Sequence, residues 1–289
     1  MELRSVAALI EASRKMPIWE AILCSDLEED TPEQRAASLE KMRMLWQVMQ
    51  DSAAGYDGSQ RSLSGLSGGD GEKYTQMMSS GKMMCGTYLN DAIATALKVS
   101  ECNACMKRIV AAPTAGSCGV IPAVLIPYRK EYPDTPEEEM LHALYVTGGF
   151  GNIIAERASV SGAEAGCQAE IGAASAMAAA ALVYLRGGSP EACGNACAMA
   201  LKNLLGLVCD PVAGLVEVPC VKRNVVGVVN AISCANMALA GIVSRIPPDE
   251  VIDAMAEVGS SMSADLRETA RGGLAATPTG KRIAAERAE

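Results

Sequence analysis

Three cysteines of this chain lie in segments that are not predicted to form regular helices. Cys209 and Cys220 belong to an apolar run that Pro211 and Pro219 interrupt. A proline pushes the residue before it away from helical geometry. Cys167 follows the loop-like run SGAEAG. Because extended or turn backbone presents each thiol, these three side chains are predicted to face a common ligand.

Three thiolates suit several kinds of site. Zinc takes four protein ligands, or three and a water when it is catalytic, so a three-cysteine zinc site is one option. A cluster used only for electron transfer normally has a cysteine on every iron. A [4Fe–4S] cluster with three cysteines leaves one iron open, and an open iron is a Lewis acid that suits a dehydration. The spacing of the cysteines does not by itself decide between these options.

Composition restricts the partners and the compartment. The 289 residues include 25 Lys and Arg against 34 Asp and Glu, a net charge of −9 that argues against nucleic acid or an anionic membrane as the main partner. The odd count of 11 cysteines and the lack of a signal peptide predict a reducing, cytoplasmic location. Residues 225–244 carry no charge but include Asn, Ser and Gly, which favours a buried core helix over a membrane span.

Helix signals recur along the chain. Thr31-Pro32 and Ser189-Pro190 each place an N-cap residue before a proline, the arrangement that starts many helices. Residues 170–185 are rich in alanine, the strongest helix former. Residues 1–23 are predicted to form an amphipathic helix and a short loop. No convincing alternation of apolar and polar residues indicates a strand.

We therefore predict an all-α fold. Residues 1–55 are expected to be a helical lead-in, and residues 56–289 a single Ala-rich multi-helix domain whose glycine-rich loops converge on the cysteine site. One such loop covers residues 64–73 (SGLSGGDGEK), where composition alone favours a flexible linker over a ligand-binding loop. The other covers residues 113–119 (PTAGSCG), where successive amides could bind a carboxylate.

Other reactive residues are interpreted as structural. Cys102 and Cys105 form a CxxC pair, but no partner pair or βαβ pattern accompanies it. His142 is the sole histidine and lies on a predicted helix. Polar or thiol side chains isolated in this way more often pack in a core than act on a ligand.

Four longer segments carry a resemblance to a known family. They are APTAGSCGVIPAVL at 112–125, SGAEAGCQAEIG at 161–172, LGLVCDPVAGLVEVPCVKRN at 205–224 and RETARGGLA at 267–275. They closely resemble the catalytic α chain of the iron–sulfur-dependent bacterial L-serine dehydratases, over nearly all of residues 60–280. The resemblance implies an all-helical catalytic domain and a [4Fe–4S] cluster bound by Cys167, Cys209 and Cys220.

The same resemblance implies a partner. The family usually has a second part, a small α/β domain with a Ser-Ser-Ser-His-Thr-like motif, either fused or as a separate β chain. This sequence contains no such motif. The chain is therefore expected to act with a β chain, as a heterodimer or a higher oligomer, and a histidine of that partner would join the site.

The implied reaction is the deamination of L-serine to pyruvate and ammonia without pyridoxal phosphate. The open iron is expected to assist loss of the hydroxyl, and a base that this chain does not identify removes the α-proton. The candidate substrate-binding residues are Ser64, Ser67, Thr114, Ser117, Ser161 and Glu164. Serine and threonine in turns also commonly cap their own backbone. Three alternatives stay open: a cluster-dependent lyase that acts on L-cysteine, an electron-transfer protein and a structural zinc protein.

Overall fold

The computed structural model describes residues 3–287, and this range contains thirteen α-helices and no β-strand. The predicted all-α fold is confirmed. The helices are α1 (Val6–Ala12), α2 (Ile18–Asp26), α3 (Pro32–Ala54), α4 (Asp70–Met78), α5 (Thr87–Ala104), α6 (Val120–Glu131), α7 (Glu137–Arg157), α8 (Gly162–Ala165), α9 (Ala173–Leu185), α10 (Pro190–Lys202), α11 (Cys220–Leu239), α12 (Pro248–Ser261) and α13 (Pro278–Ala285).

Helix α9 lies at the centre of the core. It packs against α6, α7, α10 and α11, and its residues from Ala173 to Val183 are all buried. Seven of those eleven residues are alanine, whose small side chain lets neighbouring helices approach closely. Residues 168–185 are also the one described stretch that is long and apolar enough to cross a membrane, and 83% of it is buried inside the protein. Its apolar surface is therefore used in packing the core.

The N-terminal region contains three helices that share this core. The single helix predicted over residues 1–23 is wrong, because the chain turns before Pro17 and a second helix starts at Ile18. The start predicted at Thr31-Pro32 is confirmed, with the Thr31 hydroxyl accepting the amide of Gln34. Side chains of α1 to α3 belong to the same buried cluster as those of α9. The domain boundary predicted at residue 55 stays a prediction.

Helix α11 differs from the buried helix predicted over residues 225–244. It ends at Leu239, and only one of its sides faces the core. Val226 and Val229 on the other side are exposed, as are Ile242 and Val243 in the turn that follows. Asn230 faces α9 and α10, where its amide donates to the Ser175 hydroxyl and the Ala200 carbonyl, whereas Ser233 and Asn236 are exposed. The helix is therefore amphipathic, with an apolar patch on its outer side.

The C-terminal region folds back over the cysteine segment. Arg267 forms an isolated parallel bridge with Cys209. The amide of Cys209 donates to the Leu266 carbonyl, and the amide of Glu268 donates to the Cys209 carbonyl, both at 2.8 Å. Helix α13, which the sequence analysis did not predict, follows this segment and packs beside residues 212–214.

Candidate active site

The three predicted ligand cysteines come from three different pieces of backbone. Cys167 lies between α8 and a π-helical turn at residues 168–172, Cys209 lies in the extended segment after α10, and Cys220 is the first residue of α11. Cys220 was expected to lie outside the helices. Instead, Pro219 directly precedes α11, and Cys220 is at the N-terminal end of that helix. All three side chains are buried.

Gln168 joins the Cys167 loop to the Cys209 segment. Its backbone amide donates to the Leu207 carbonyl, and its side-chain oxygen accepts the amide of Gly206, each at 2.9 Å. The loop itself turns at Gly166, whose φ of +75° lies in the left-handed region that favours glycine. Two chain segments about forty residues apart are thereby aligned, and their thiols meet.

The thiols influence one another electrostatically. A hydrogen bond from Cys209, together with the charge of nearby Arg223, holds the pKa of Cys167 below its usual value in spite of burial. The same bond and burial raise the pKa of Cys209. Burial, followed by the charge of Cys167, raises the pKa of Cys220 to about 12. In the free protein Cys167 is therefore the thiol most easily ionised of the three.

Glu170 places a carboxylate beside this cysteine group. The Thr114 hydroxyl donates to its Oε1 at 2.6 Å, and the Cys209 thiol lies 3.9 Å from its Oε2. Burial raises the pKa of Glu170, although the bond from Thr114 lowers it. Glu170 was not among the candidate residues selected from the sequence.

Asp210 and Arg223 form a buried ion pair behind Cys209. Their Oδ1 and Nη2 atoms are 2.8 Å apart, with 4% and 14% of the two side chains exposed. Arg223 also donates to the Val208 carbonyl, and Asp210 accepts the amide of Leu274 at 2.8 Å. The pair therefore joins the start of α11 and the Cys209 segment to residues 264–277, which form the C-terminal cover of that segment.

The predicted loop at residues 113–119 lies against α11 and the π-helical turn. Asn224 accepts the Gly119 amide and donates to the Gly116 carbonyl, which holds the loop close to Cys220. Thr114 points at Glu170. Ser117 is fully buried and donates to the Thr114 carbonyl, so it caps its own loop.

The predicted loop at residues 64–73 is held by two carboxylates and is not a flexible linker. Glu101, on α5, accepts the amides of residues 68, 70 and 71 and the Tyr56 hydroxyl. Glu217, in the segment between Cys209 and Cys220, accepts the Ser64 hydroxyl at 2.7 Å, and also that of Ser62. The Ser67 hydroxyl is buried and has no hydrogen-bond partner.

Ser161 and Glu164 lie at the short helix before Cys167. Ser161 precedes that helix and its carbonyl accepts the amides of Glu164 and Ala165. Glu164 is exposed and accepts the Ser159 hydroxyl at 2.6 Å. The structure thus brings Thr114 to the cysteine group and places Glu164 on the surface nearby. The roles of the six predicted substrate-binding residues stay predictions.

The residues present fit a cluster of several irons. Three buried thiols converge, Arg223 favours the thiolate form of one of them, and polar groups of Thr114 and Glu170 line the same space. Among residues 3–287, no three His, Cys, Asp or Glu side chains come close enough to hold a single metal ion. A cluster binds each thiolate through a different iron, so the spacing required by a single ion does not apply to it.

Comparison with known proteins agrees with the motifs. A family profile described as "Serine dehydratase alpha chain" matches residues 13–275. The chain belongs to the serine dehydratase alpha-chain family. A protein of Bacillus subtilis named "Probable L-serine dehydratase, alpha chain" is 48% identical over 97% of this chain and 93% of its own length. The "L-serine dehydratase, alpha chain" of Peptoniphilus asaccharolyticus is 50% identical over 71% of this chain and 70% of its own.

A longer relative belongs to the same group. The protein of Escherichia coli named "L-serine dehydratase TdcG" is 48% identical over 62% of this chain, and the match spans 40% of that protein. The predicted membership of the L-serine dehydratase alpha chains is therefore confirmed, and with it a lyase-type enzyme of amino-acid metabolism.

Several residues of this family member's site were not selected from the sequence. They are Glu170, Asp210, Arg223, Asn224, Glu101 and Glu217. Five of these, all except Glu101, lie inside the cysteine-bearing motifs, within four residues of Cys167, Cys209 or Cys220. A charged or amide side chain within an otherwise apolar motif is a signal that could have identified them, because burying such a group requires a partner.

Proposed function

We propose that this chain is the catalytic α subunit of an L-serine dehydratase that converts L-serine to pyruvate and ammonia. In this proposal a [4Fe–4S] cluster is bound by Cys167, Cys209 and Cys220, and the enzyme acts in the cytoplasm. The convergence of three buried thiols from three segments carries the proposal. The names of the relatives support the substrate.

Several residues of this chain would each have a separate role in cluster binding or substrate binding. When bound, the cluster would supply a Lewis-acidic iron for departure of the serine hydroxyl. Arg223 would keep Cys167 ionised, and the Asp210–Arg223 pair would hold Cys209 and the start of α11 in register. Thr114 would orient the Glu170 carboxylate toward the substrate space. Hydroxyls and amides of residues 64–73 and 113–119 that are not already bonded within the protein, such as the Ser67 hydroxyl, remain the proposed partners of the substrate carboxylate.

The acceptor of the α-proton is proposed to come from a β chain. The relatives' names contain "alpha chain", which implies a second chain. His142 of this chain is proposed to be structural, because it lies on α7, its side chain is 8% exposed and its ring stacks on that of Trp19 at 3.6 Å. A heterodimer, or a higher assembly of such pairs, would then complete the site.

Iron content tests the proposed ligands. The full chain would be reconstituted anaerobically, and its iron, visible absorbance and electron paramagnetic resonance spectrum measured. We expect Cys209→Ala to lose most of the iron and the cluster spectrum. The control Cys85→Ala, which removes an exposed cysteine of another region, should keep both. A Cys209→Ala protein with the full iron content would contradict the ligand assignment.

Product formation tests the reaction. Pyruvate would be measured with L-serine and the reconstituted chain, with and without its β chain. We expect formation of pyruvate by the pair and little by the α chain alone. Full activity of the α chain alone would contradict the proposed role of the partner, and no pyruvate from either would contradict the proposed reaction.

A further inference from the structure

The Glu170 carboxylate lies at the meeting point of the cysteine group and the 113–119 loop. Its two oxygens contact Thr114 and Cys209, as described above. Its negative charge also acts on Cys167 and Cys220, where it raises the pKa of each thiol. One side chain is therefore near all three proposed ligands, while remaining partly exposed.

The surrounding backbone restricts the position of the Glu170 carboxylate. Glu170 lies in the π-helical turn at residues 168–172, and such turns often occur at functional sites because they redirect side chains. Two glycines flank the carboxylate. A Cβ added to Gly116 would lie 2.9 Å from Oε1, and one added to Gly162 would lie 2.6 Å from Oε2. The close approach of backbone on both sides leaves the carboxylate little freedom to turn away.

Among residues 3–287, no Lys, Arg or His side chain forms an ion pair with this carboxylate. Its hydrogen-bond partners are a hydroxyl and a thiol. Arg223 acts on it through space, but its guanidinium is bonded to Asp210 and to the Val208 carbonyl. The Cys167 thiolate and an exposed glutamate, Glu268, add further negative charge to the region. A half-buried carboxylate in such a site favours a cationic ligand.

We infer that Glu170 binds the α-ammonium group of the amino-acid substrate. This inference rests on the proposed function, because the ammonium is the positive charge that L-serine carries. An ammonium group has three N–H donors, and the Glu170 carboxylate keeps free lone pairs after it accepts the Thr114 hydroxyl. Glu170 would thereby select amino acids over hydroxy acids of the same shape.

Two ligands of equal shape test this role. α-Methyl-L-serine carries an ammonium group on its α-carbon, and 3-hydroxy-2,2-dimethylpropanoate carries a methyl group at the same place. Neither compound has an α-proton that the enzyme could remove. Binding of each would be measured anaerobically by titration calorimetry to the cluster-loaded chain with its β chain. Because a hydrogen bond to a charged group is worth about 1.5–3 kcal/mol, the wild type should prefer the amino acid by about 10- to 100-fold.

Variants of Glu170 and Glu268 distinguish a direct contact with the ammonium group from a general effect of negative charge in the region. In Glu170→Gln the two ligands should bind within about threefold of each other, and Glu170→Asp, which keeps a carboxylate, should retain part of the preference. Glu268→Gln removes an exposed negative charge from the same region and should leave the preference unchanged. The iron content of every variant would be measured first.

Several results would overturn the inference. They are a full preference in Glu170→Gln, no preference in the wild type, failure of the wild type to bind either ligand, and loss of iron in Glu170→Gln, which would assign the residue to cluster binding. A complex that shows the preference but forms no pyruvate from L-serine would contradict the proposed reaction and leave the role of Glu170 standing.

Discussion

Replacing Asp210 with alanine should destabilise the chain strongly, since the substitution would leave a buried guanidinium without its partner. Asp210 accepts a bond from Arg223 and another from the Leu274 amide, each at 2.8 Å. Breaking a buried ion pair by removing one partner costs about 3–5 kcal/mol. For a chain of this size that loss corresponds to a fall in Tm of roughly 5–8 °C.

Thermal and urea unfolding of the metal-free chain would measure this effect, with circular dichroism as the signal. Asp210→Asn keeps an acceptor for the Leu274 amide and should lose less stability than Asp210→Ala. The control is Glu286→Gln in the Arg282–Glu286 pair, whose side chains are 63% and 59% exposed. Pairs of that kind contribute about 0.5 kcal/mol or less.

Limited proteolysis provides a second measurement of the same variant. Since Asp210 anchors the segment that begins near Leu266, its removal should open residues 264–277 to cleavage. An Asp210→Ala protein that unfolds within about 1 kcal/mol of the wild type, with this segment still protected, would refute the assignment of the ion pair as the anchor of the C-terminal cover.

Two further variants test the crowding and the charge around the site. Gly162→Ala should lower iron content after reconstitution, because the new Cβ would lie 2.6 Å from the Glu170 carboxylate; the matched control Gly148→Ala, also within a helix, meets nothing within 4 Å and should keep its iron. Bonds from Lys222 and Lys73 lower the pKa of Asp70, so this group stabilises the fold above the ordinary carboxyl pKa. The difference in unfolding free energy between wild type and Asp70→Asn should therefore be present at pH 7 and shrink below about pH 4, and a difference that grows on acidification would contradict it.

Local chemistry made much of the helical structure predictable. The start of α3 follows from a threonine that caps the helix and a proline that is tolerated in its first turn, and both effects operate within four residues. The same reasoning located α10, where the Ser189 hydroxyl accepts the amide of Ala192. By contrast, the burial of α3 side chains is not a local property, since Trp46 is 3% exposed and the neighbouring Leu45 is 43% exposed. Burial depends on which helices cover that face, and the local pattern does not contain this.

The candidate site was likewise predictable from the sequence only in part. Sequence alone selected the three cysteines as candidate ligands, since prolines and glycines mark their segments, and it identified the family through its motifs. It did not show that the 64–73 loop is held by Glu101 and Glu217, or that Asp210 bonds to the Leu274 amide. Nor did it show that Glu170 meets Thr114, a residue 56 positions away. A buried carboxylate requires a partner wherever the chain can supply one. Only the tertiary structure decides which distant residue that partner is.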